Sequence, residues 1–221
     1  MDRKIIVTGD NSKTLLIPKL DETYHSTHGA LNEARHVFIQ NGMASFDTES
    51  LSIFELGFGS GLNLLVTLEF LELKKRSVFY TSIEKYPLSY ETIQQLEYDQ
   101  LVDPTLKPAF EKAHLSPWNE KIRINKQLEL LKQEADITAV SIPSASFDLV
   151  FYDAFGPRVQ PDLWSEKVLQ KMFDGLKTNG RLVTYCAQGQ FKRNLKAVGF
   201  DVLNVPGPPG KREMTIGIKR R

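Results

Sequence analysis

The chain is almost without cysteine. Cys186 stands alone, so no internal disulfide can form, and it has no ligand-like neighbours. A reducing cytoplasm is the expected compartment. No apolar run approaches the length of a membrane span, and Met1-Asp2-Arg3-Lys4 leads into a short strand rather than a signal segment. No membrane partner is expected. Internal repeats and low-complexity tracts are missing, which excludes solenoids and disordered tails. There is no dominant charge: 28 basic residues face 27 acidic ones, for a net charge of +1. Whole-chain charge therefore neither demands nor excludes nucleic acid. A metal shell is also lacking. His25 and His28 flank a helix entry, but no cysteine and no His-Glu-x-x-His arrangement completes a ligand set, so no metal is expected. What remains is an ordinary globular composition, 41% hydrophobic over 221 residues. That suffices for one well-buried α/β domain and is short for two.

The informative stretch is Leu51 to Phe70, LSIFELGFGSGLNLLVTLEF. It opens as a strand, turns through Gly57, Gly59 and Gly61, and continues as a helix-length apolar run. Glycines allow a tight turn and a close ligand approach. The free N–H groups at the helix start then face a polar or anionic group. Leu62 stands where a Gly-x-Gly-x-x-Gly dinucleotide fingerprint needs its last glycine, which disfavours a nicotinamide cofactor. With Glu55 two places before the first glycine, the turn looks like that of S-adenosylmethionine methyltransferases. A plain strand-to-helix turn with no ligand is the alternative.

Around this stretch, strands and helices alternate. Lys4 to Val7 and Lys13 to Pro18 predict a hairpin across Gly9-Asp10-Asn11-Ser12. Leu31, Ala34, Val37 and Phe38 recur at helical spacing, and Asn41-Gly42 ends that helix. Residues 1–48 thus form an extension packed on a methyltransferase domain of residues 49–221. Ser77 to Glu84 predicts the second strand of that domain, with Glu84 placed to accept from ribose hydroxyls. Tyr86 follows, either stacked on an adenine or packed against protein. Leu88 to Tyr98 predicts a helix, and Asp103 to Trp118, with three prolines, an irregular or briefly helical stretch. Lys121 to Asn125 predicts a short strand, and Gln127 to Ala135 a helix. Phe147 to Asp153 predicts a strand, and Asp162 caps a helix from Leu163 to Leu176, closed by Asn179-Gly180. Arg181 to Cys186, a helix from Gln190 to Val198, and the strands Phe200 to Val205 and Met214 to Lys219 complete the chain. The expected fold is α/β: a Rossmann-like, mostly parallel sheet with an antiparallel C-terminal strand pair. Ligands bind such sheets beyond the C-terminal strand ends. The glycine turn, Glu84, Gln127 and Asp153 are expected at that edge.

Four blocks carry a family resemblance. They are Tyr24-His25-Ser26 with Gly29 to Phe38; Phe54 to Asn63; Asp153-Ala154-Phe155-Gly156-Pro157 with Pro161 to Trp164; and Gly199-Phe200 with Gly207 and Lys211-Arg212-Glu213-Met214. Together they resemble the methyltransferase domain family of MnmC, which methylates the aminomethyl group of wobble 5-aminomethyl-(2-thio)uridine in tRNA. The resemblance implies an S-adenosyl-L-methionine-dependent enzyme with the tRNA anticodon loop as partner. It also implies a functional link to the enzymes that install the aminomethyl group. Glu55, Gly57, Phe58, Gly59, Gly61 and Asn63 are expected to hold the cofactor, joined by Glu84 and Tyr86. The family places Gly-Asp after the third strand, for the adenine amino group. Lys126-Gln127 is the nearest match here, so Gln127 is expected to accept that bond through its carbonyl. Tyr24, Ser26 and Glu33 are expected as a lid, with helix capping the other reading of Ser26. Bifunctional relatives also carry a flavin oxidase domain. This sequence contains none, so a stand-alone form is expected.

Methyl transfer to an amine needs a neutral, aligned nucleophile. Asp153 is the expected catalytic acceptor beside it, or alternatively the ligand of the cofactor's amino group. Phe155 and Pro157 shape a wall for the base, or simply pack. Basic residues crowd the C-terminus, and Lys192, Arg193, Lys211 and Arg212 are candidate phosphate contacts; a solvated face is the common alternative. A methyltransferase for a small-molecule amine and a non-catalytic cofactor-binding domain are the other readings. Neither monomer nor homodimer is favoured.

Overall fold

The computed structural model describes residues 2–220. Strands β1 (Lys4–Val7), β2 (Lys13–Ile17) and β3 (Glu22–Thr23) form a small antiparallel sheet. Helix α1 (Ala30–Ala34) follows and widens into a π-helical turn over Arg35–Gln40. Its first N–H groups are met from the β1–β2 turn: Ser12 Oγ accepts from Ala30 at 3.2 Å and Asp10 Oδ2 from Asn32 at 2.8 Å. A turn rich in Asp and Ser thus serves as a helix cap supplied from a distance.

The main body runs β4 (Ser50–Leu56), α2 (Leu62–Leu73), β5 (Ser77–Glu84), α3 (Tyr90–Leu96), α4 (Lys107–Leu115), β6 (Lys121–Arg123), β7 (Leu128–Glu134), β8 (Phe147–Tyr152), α5 (Glu166–Gly175), β9 (Leu176–Thr184), α6 (Gly189–Ala197), β10 (Asp201–Pro206) and β11 (Glu213–Ile218). Its sheet has eight strands in the order β10-β11-β9-β8-β4-β5-β7-β6. Strands β9, β8, β4, β5 and β7 are parallel, and β10-β11 is the antiparallel closing pair. Chain order reverses between β4 and β8, so a crevice opens there. Along β4, Leu51 and Ile53 face one core and Phe54 and Leu56 the other. The period of two sorts side chains onto the two faces. Helices α1 to α4 cover the first face, and α5 and α6 the second. Leu15, Val37 and Phe38 share the first core with Leu51, so the N-terminal segment is continuous with the body. Among the described residues, no helix is long and apolar enough to cross a membrane.

Three sequence expectations are corrected. Gln127 to Ala135 is not a helix: it contains β7, paired parallel with β5 and antiparallel with β6. Leu, Glu, Lys and Gln favour helix intrinsically, but Leu128, Leu130 and Lys132 alternate inward and the pairing prevails. Asp103 to Trp118 is briefly helical, as expected: Pro108 lies in the first turn of the nine-residue helix α4, where its missing N–H costs nothing. Asp162 does not cap α5: it lies in a 3-10 turn over Pro161–Trp164, and Ser165 precedes the helix. Asn179-Gly180 lies inside β9, where the register with β8 slips between Phe147 and Leu149. Asn179 adopts a φ of 65° there, a left-handed conformation that Asn tolerates better than most residues.

The alternation in β7 has a direct consequence. Leu130→Ala removes a fully buried side chain and is expected to cost about 2–5 kcal/mol. Glu129→Ala, on the half-buried face, should cost about 1 kcal/mol or less. Urea unfolding midpoints check the contrast; equal costs would contradict the strand.

Candidate active site

A cavity of about 680 Å³ lies beyond the C-terminal ends of β4, β5, β7 and β8. Its floor is the glycine turn. Gly57 has φ 94°, and a Cβ there would lie 2.7 Å from the Asp153 carbonyl oxygen. Only glycine fits between the two strand ends. Gly59 also has positive φ, and its N–H donates to Glu84 Oε2 at 3.0 Å. The other Glu84 oxygen accepts from the Tyr86 N–H at 2.8 Å. Glu84 therefore braces the turn while still lining the cavity, and Tyr86, 59% exposed, stands at the mouth.

Asp136 lies two residues past β7 and was not singled out in the sequence. Its Oδ1 accepts from the Thr138 N–H at 2.8 Å, and Oδ2 pairs with Lys85 at 2.8 Å. The Lys85 hydrogen bond, with those from Thr138, pulls its carboxyl down to about 2, so it is an anion at neutral pH. Gln127, expected in this place, sits at the opposite end of β7. Its amide donates to the carbonyls of Leu71 and Lys74 at 3.0 and 2.8 Å. The helix-favouring composition of Gln127 to Ala135 hides this edge. Reading Leu128 and Leu130 as strand alternation puts Ala135-Asp136 at the ligand edge.

Asp153, just past β8, lines the cavity. Burial pushes its carboxyl up to about 7, opposed by a hydrogen bond from Asn63 Nδ2 at 2.8 Å. Glu55 lies behind the wall, fully buried, and burial pushes it up to about 8. Gly61, with φ 73°, is required by packing: a Cβ there would meet the His114 ring at 2.7 Å. Phe58 lines the floor, with Trp118 against its lower edge.

The roof comes from the N-terminal segment. The Tyr24 ring meets Phe155 edge-on, centroids 5.0 Å apart. Arg158 Nη2 donates to the carbonyls of Asp21 and Leu20 at 2.9 and 3.1 Å. His25 also lines the cavity and bonds Ser60 Oγ at 2.8 Å; burial lowers it to about 4, so it is neutral. Ser26 and Pro157 lie outside the wall. Ser26 Oγ accepts from the His28 N–H, and Gly29 occupies the α1 cap position. Glu33 is buried, accepting from the Ser26 N–H at 2.9 Å and pairing with Lys211 at 2.5 Å. Lys192 pairs with Glu213 at 3.0 Å, Arg193 bonds Gln190 at 2.7 Å, and Arg212 is exposed. The basic C-terminal residues thus divide between internal partners and solvent.

A doubly wound sheet, a glycine turn at the switch point and acids at adjoining strand ends define a nucleotide-cofactor enzyme of the Rossmann-like methyltransferase class. A family described as S-adenosyl-L-methionine-dependent methyltransferase matches residues 107–220, and the chain belongs to it. It is similar to the tRNA 5-methylaminomethyl-2-thiouridine biosynthesis bifunctional protein MnmC of Actinobacillus pleuropneumoniae, at 30% identity over 95% of this chain and 34% of that protein. The MnmC protein of Leptospira interrogans is also 30% identical, over 96% of this chain and 35% of its own length. The chain thus spans about a third of the length of these curated relatives. Among solved structures, MNMC2 from Aquifex aeolicus matches with a TM-score of 0.75 and 25% identity, covering 98% of this chain and 69% of that one.

The cofactor is S-adenosyl-L-methionine, and the cavity suits it. Glycine backbone approaches without side chains, and carboxylates from β5 and the β7 end offer acceptors for hydroxyl and amino groups.

The buried carboxylates set a pH dependence. The unfolded chain releases both protons in the ordinary carboxylate range, whereas the folded protein holds them to about 7 at Asp153 and about 8 at Glu55. The folded state therefore binds more protons up to about pH 8, and these groups lower stability as pH rises. His25 and His114, held to about 4 and about 3, act oppositely below about 6.5, and Lys132, lowered to about 8, acts oppositely only as pH approaches 8 and beyond. Stability of the free protein should therefore fall from pH 6.5 to 8, and Glu55→Gln should flatten that fall. Urea midpoints measured across this window check both.

Proposed function

We propose that this chain methylates the primary amine of 5-aminomethyl-(2-thio)uridine at the wobble position of tRNA. The MnmC relatives, named for tRNA 5-methylaminomethyl-2-thiouridine biosynthesis, support the substrate. The observation that carries the reading is the convergence, at one cavity, of the glycine turn, Glu84, Asp136 and Asp153 under an aromatic roof.

When bound, S-adenosyl-L-methionine supplies an electrophilic methyl group on a sulfonium. The Gly57–Gly59 backbone would hold its methionine portion, Glu84 would accept from the ribose hydroxyls and Asp136 from the adenine amino group. Asp153 works on the acceptor. An ammonium has no lone pair, so a carboxylate beside the amine orients it and takes a proton. With its carboxyl raised to about 7, Asp153 is close to an amine's needs at neutral pH, basic enough to accept yet still ionisable. Tyr24 and Phe155 present ring edges and faces at the mouth, a surface on which an unstacked base can rest. Arg212 and Arg193 contact phosphates without reading sequence. Enzymes that install the aminomethyl group act before this one, in the cytoplasm.

Tritiated S-adenosylmethionine with aminomethyl-containing tRNA tests the reading. Label is expected in the wobble nucleoside; unlabelled RNA beside labelled small amines would replace tRNA with a small-molecule substrate. Asp153→Asn should lower transfer about 100-fold or more and abolish the rate increase as pH rises through about 7. If that limb persists in the variant, the titration belongs to the substrate amine. Asp136→Ala should weaken S-adenosylhomocysteine binding about tenfold, read by calorimetry.

A further inference from the structure

The Asn63 side chain lies in α2, directly beneath the crevice. Its Nδ2 donates to Glu55 Oε1 at 3.0 Å and to Asp153 Oδ2 at 2.8 Å. Both hydrogens of one amide are thus spent on carboxylates from the ends of two adjacent strands. Only this orientation gives both carboxyl oxygens a donor, because the amide oxygen can only accept. Glu55 is fixed in turn from its neighbour across the sheet: Ser82 Oγ donates to Oε2 at 2.6 Å. Asn63 is 2% exposed and Glu55 fully buried; neither lines the cavity, whereas Asp153 does.

From this geometry we propose that Asn63 is a positioning residue for methyl transfer. Its amide clamps the Asp153 carboxylate toward the cavity, and Glu55 anchors the clamp instead of touching the cofactor. The inference rests on Asp153 as the acceptor beside the amine. It reassigns the acid before the glycine turn from ligand binding to the support of Asp153. Burial raises Asp153, and the Asn63 hydrogen bond is the largest influence drawing it back. The other titratable groups that act on Asp153 are Glu55 from β4, Tyr80 from β5, Glu33 from α1, Tyr185 past β9 and Lys211 from the β10–β11 loop.

Asn63→Ala tests the clamp. Carboxyl-labelled aspartate, with the Asp153 resonance assigned by its loss in Asp153→Asn, gives the Asp153 titration by carbon NMR in the full chain. The midpoint is expected to rise by about one pH unit in Asn63→Ala. Transfer should fall about 100-fold, while S-adenosylhomocysteine affinity changes less than about threefold. An unmoved midpoint overturns the proposal, as does an affinity loss equal to the transfer loss, which would make Asn63 a cofactor ligand. A wild-type protein that methylates no tRNA would sink the proposed function and leave the titration readable. If Asn63→Ala does not fold, Glu55→Gln and Glu55→Ala decide. Gln keeps an acceptor for the Asn63 amide, so it should retain at least about tenfold more transfer than Ala. Equal losses overturn the clamp.

Discussion

The close approach of two backbone turns governs this structure. The Gly57 N–H donates to the Ile83 carbonyl at 2.9 Å, and the Asp153 N–H to the Leu56 carbonyl at 3.1 Å. These bonds continue the β4–β5 and β4–β8 ladders one residue past the strands. They bring the glycine turn and Asp153 to the same edge and leave no room for a side chain at Gly57. The floor of the cavity, the start of α2 and the direction of Asp153 all follow from them. Parallel pairing thus does at the site what a flexible loop would do poorly: it sets atoms by a repeating hydrogen-bond lattice.

Electrostatics is the second constraint. Two carboxylates, Glu55 and Asp153, share one amide under the crevice, and burial disfavours the charge of each. Such an arrangement weakens the fold at neutral pH relative to an apolar filling. It also holds both carboxyls well above the ordinary carboxylate range, a perturbation that clusters at functional sites. Below the turn, Lys132 is buried, donates to the His114 carbonyl at 2.9 Å and lies 4.9 Å from the Trp118 ring centre. Burial lowers it to about 8. The glycine turn thus rests on a packed platform with a buried ammonium at its centre.

The N-terminal segment completes the site. It shares the core through Leu15, Val37 and Phe38, and reaches over the cavity with Tyr24 and His25. Its contacts to the body are polar as well: Arg158 to the Asp21 carbonyl, and Lys211 to Glu33, with the Lys211 ammonium 4.0 Å from the Tyr185 ring centre. Residues separated by most of the chain therefore form a single wall.

By itself the sequence determined the alternation of strands and helices, the position of the glycine turn, the antiparallel closing pair and the acids Glu84 and Asp153. Each is a local signal, carried by side-chain periodicity or by glycine spacing. Stretches whose local preference opposes their pairing do not show their structure in sequence. Leu128 to Glu134 has the composition of a helix, so the local pattern points to Gln127 and hides Asp136 at the ligand edge. Asn179-Gly180 has the composition of a helix stop yet lies in a strand irregularity. Only the tertiary structure decided that Lys211 pairs with Glu33, and that Glu55 stands behind Asn63 rather than in the cavity. It also settled that Gly61 is glycine for the sake of His114. Such facts depend on which distant segments meet across the sheet, and no local pattern encodes that meeting.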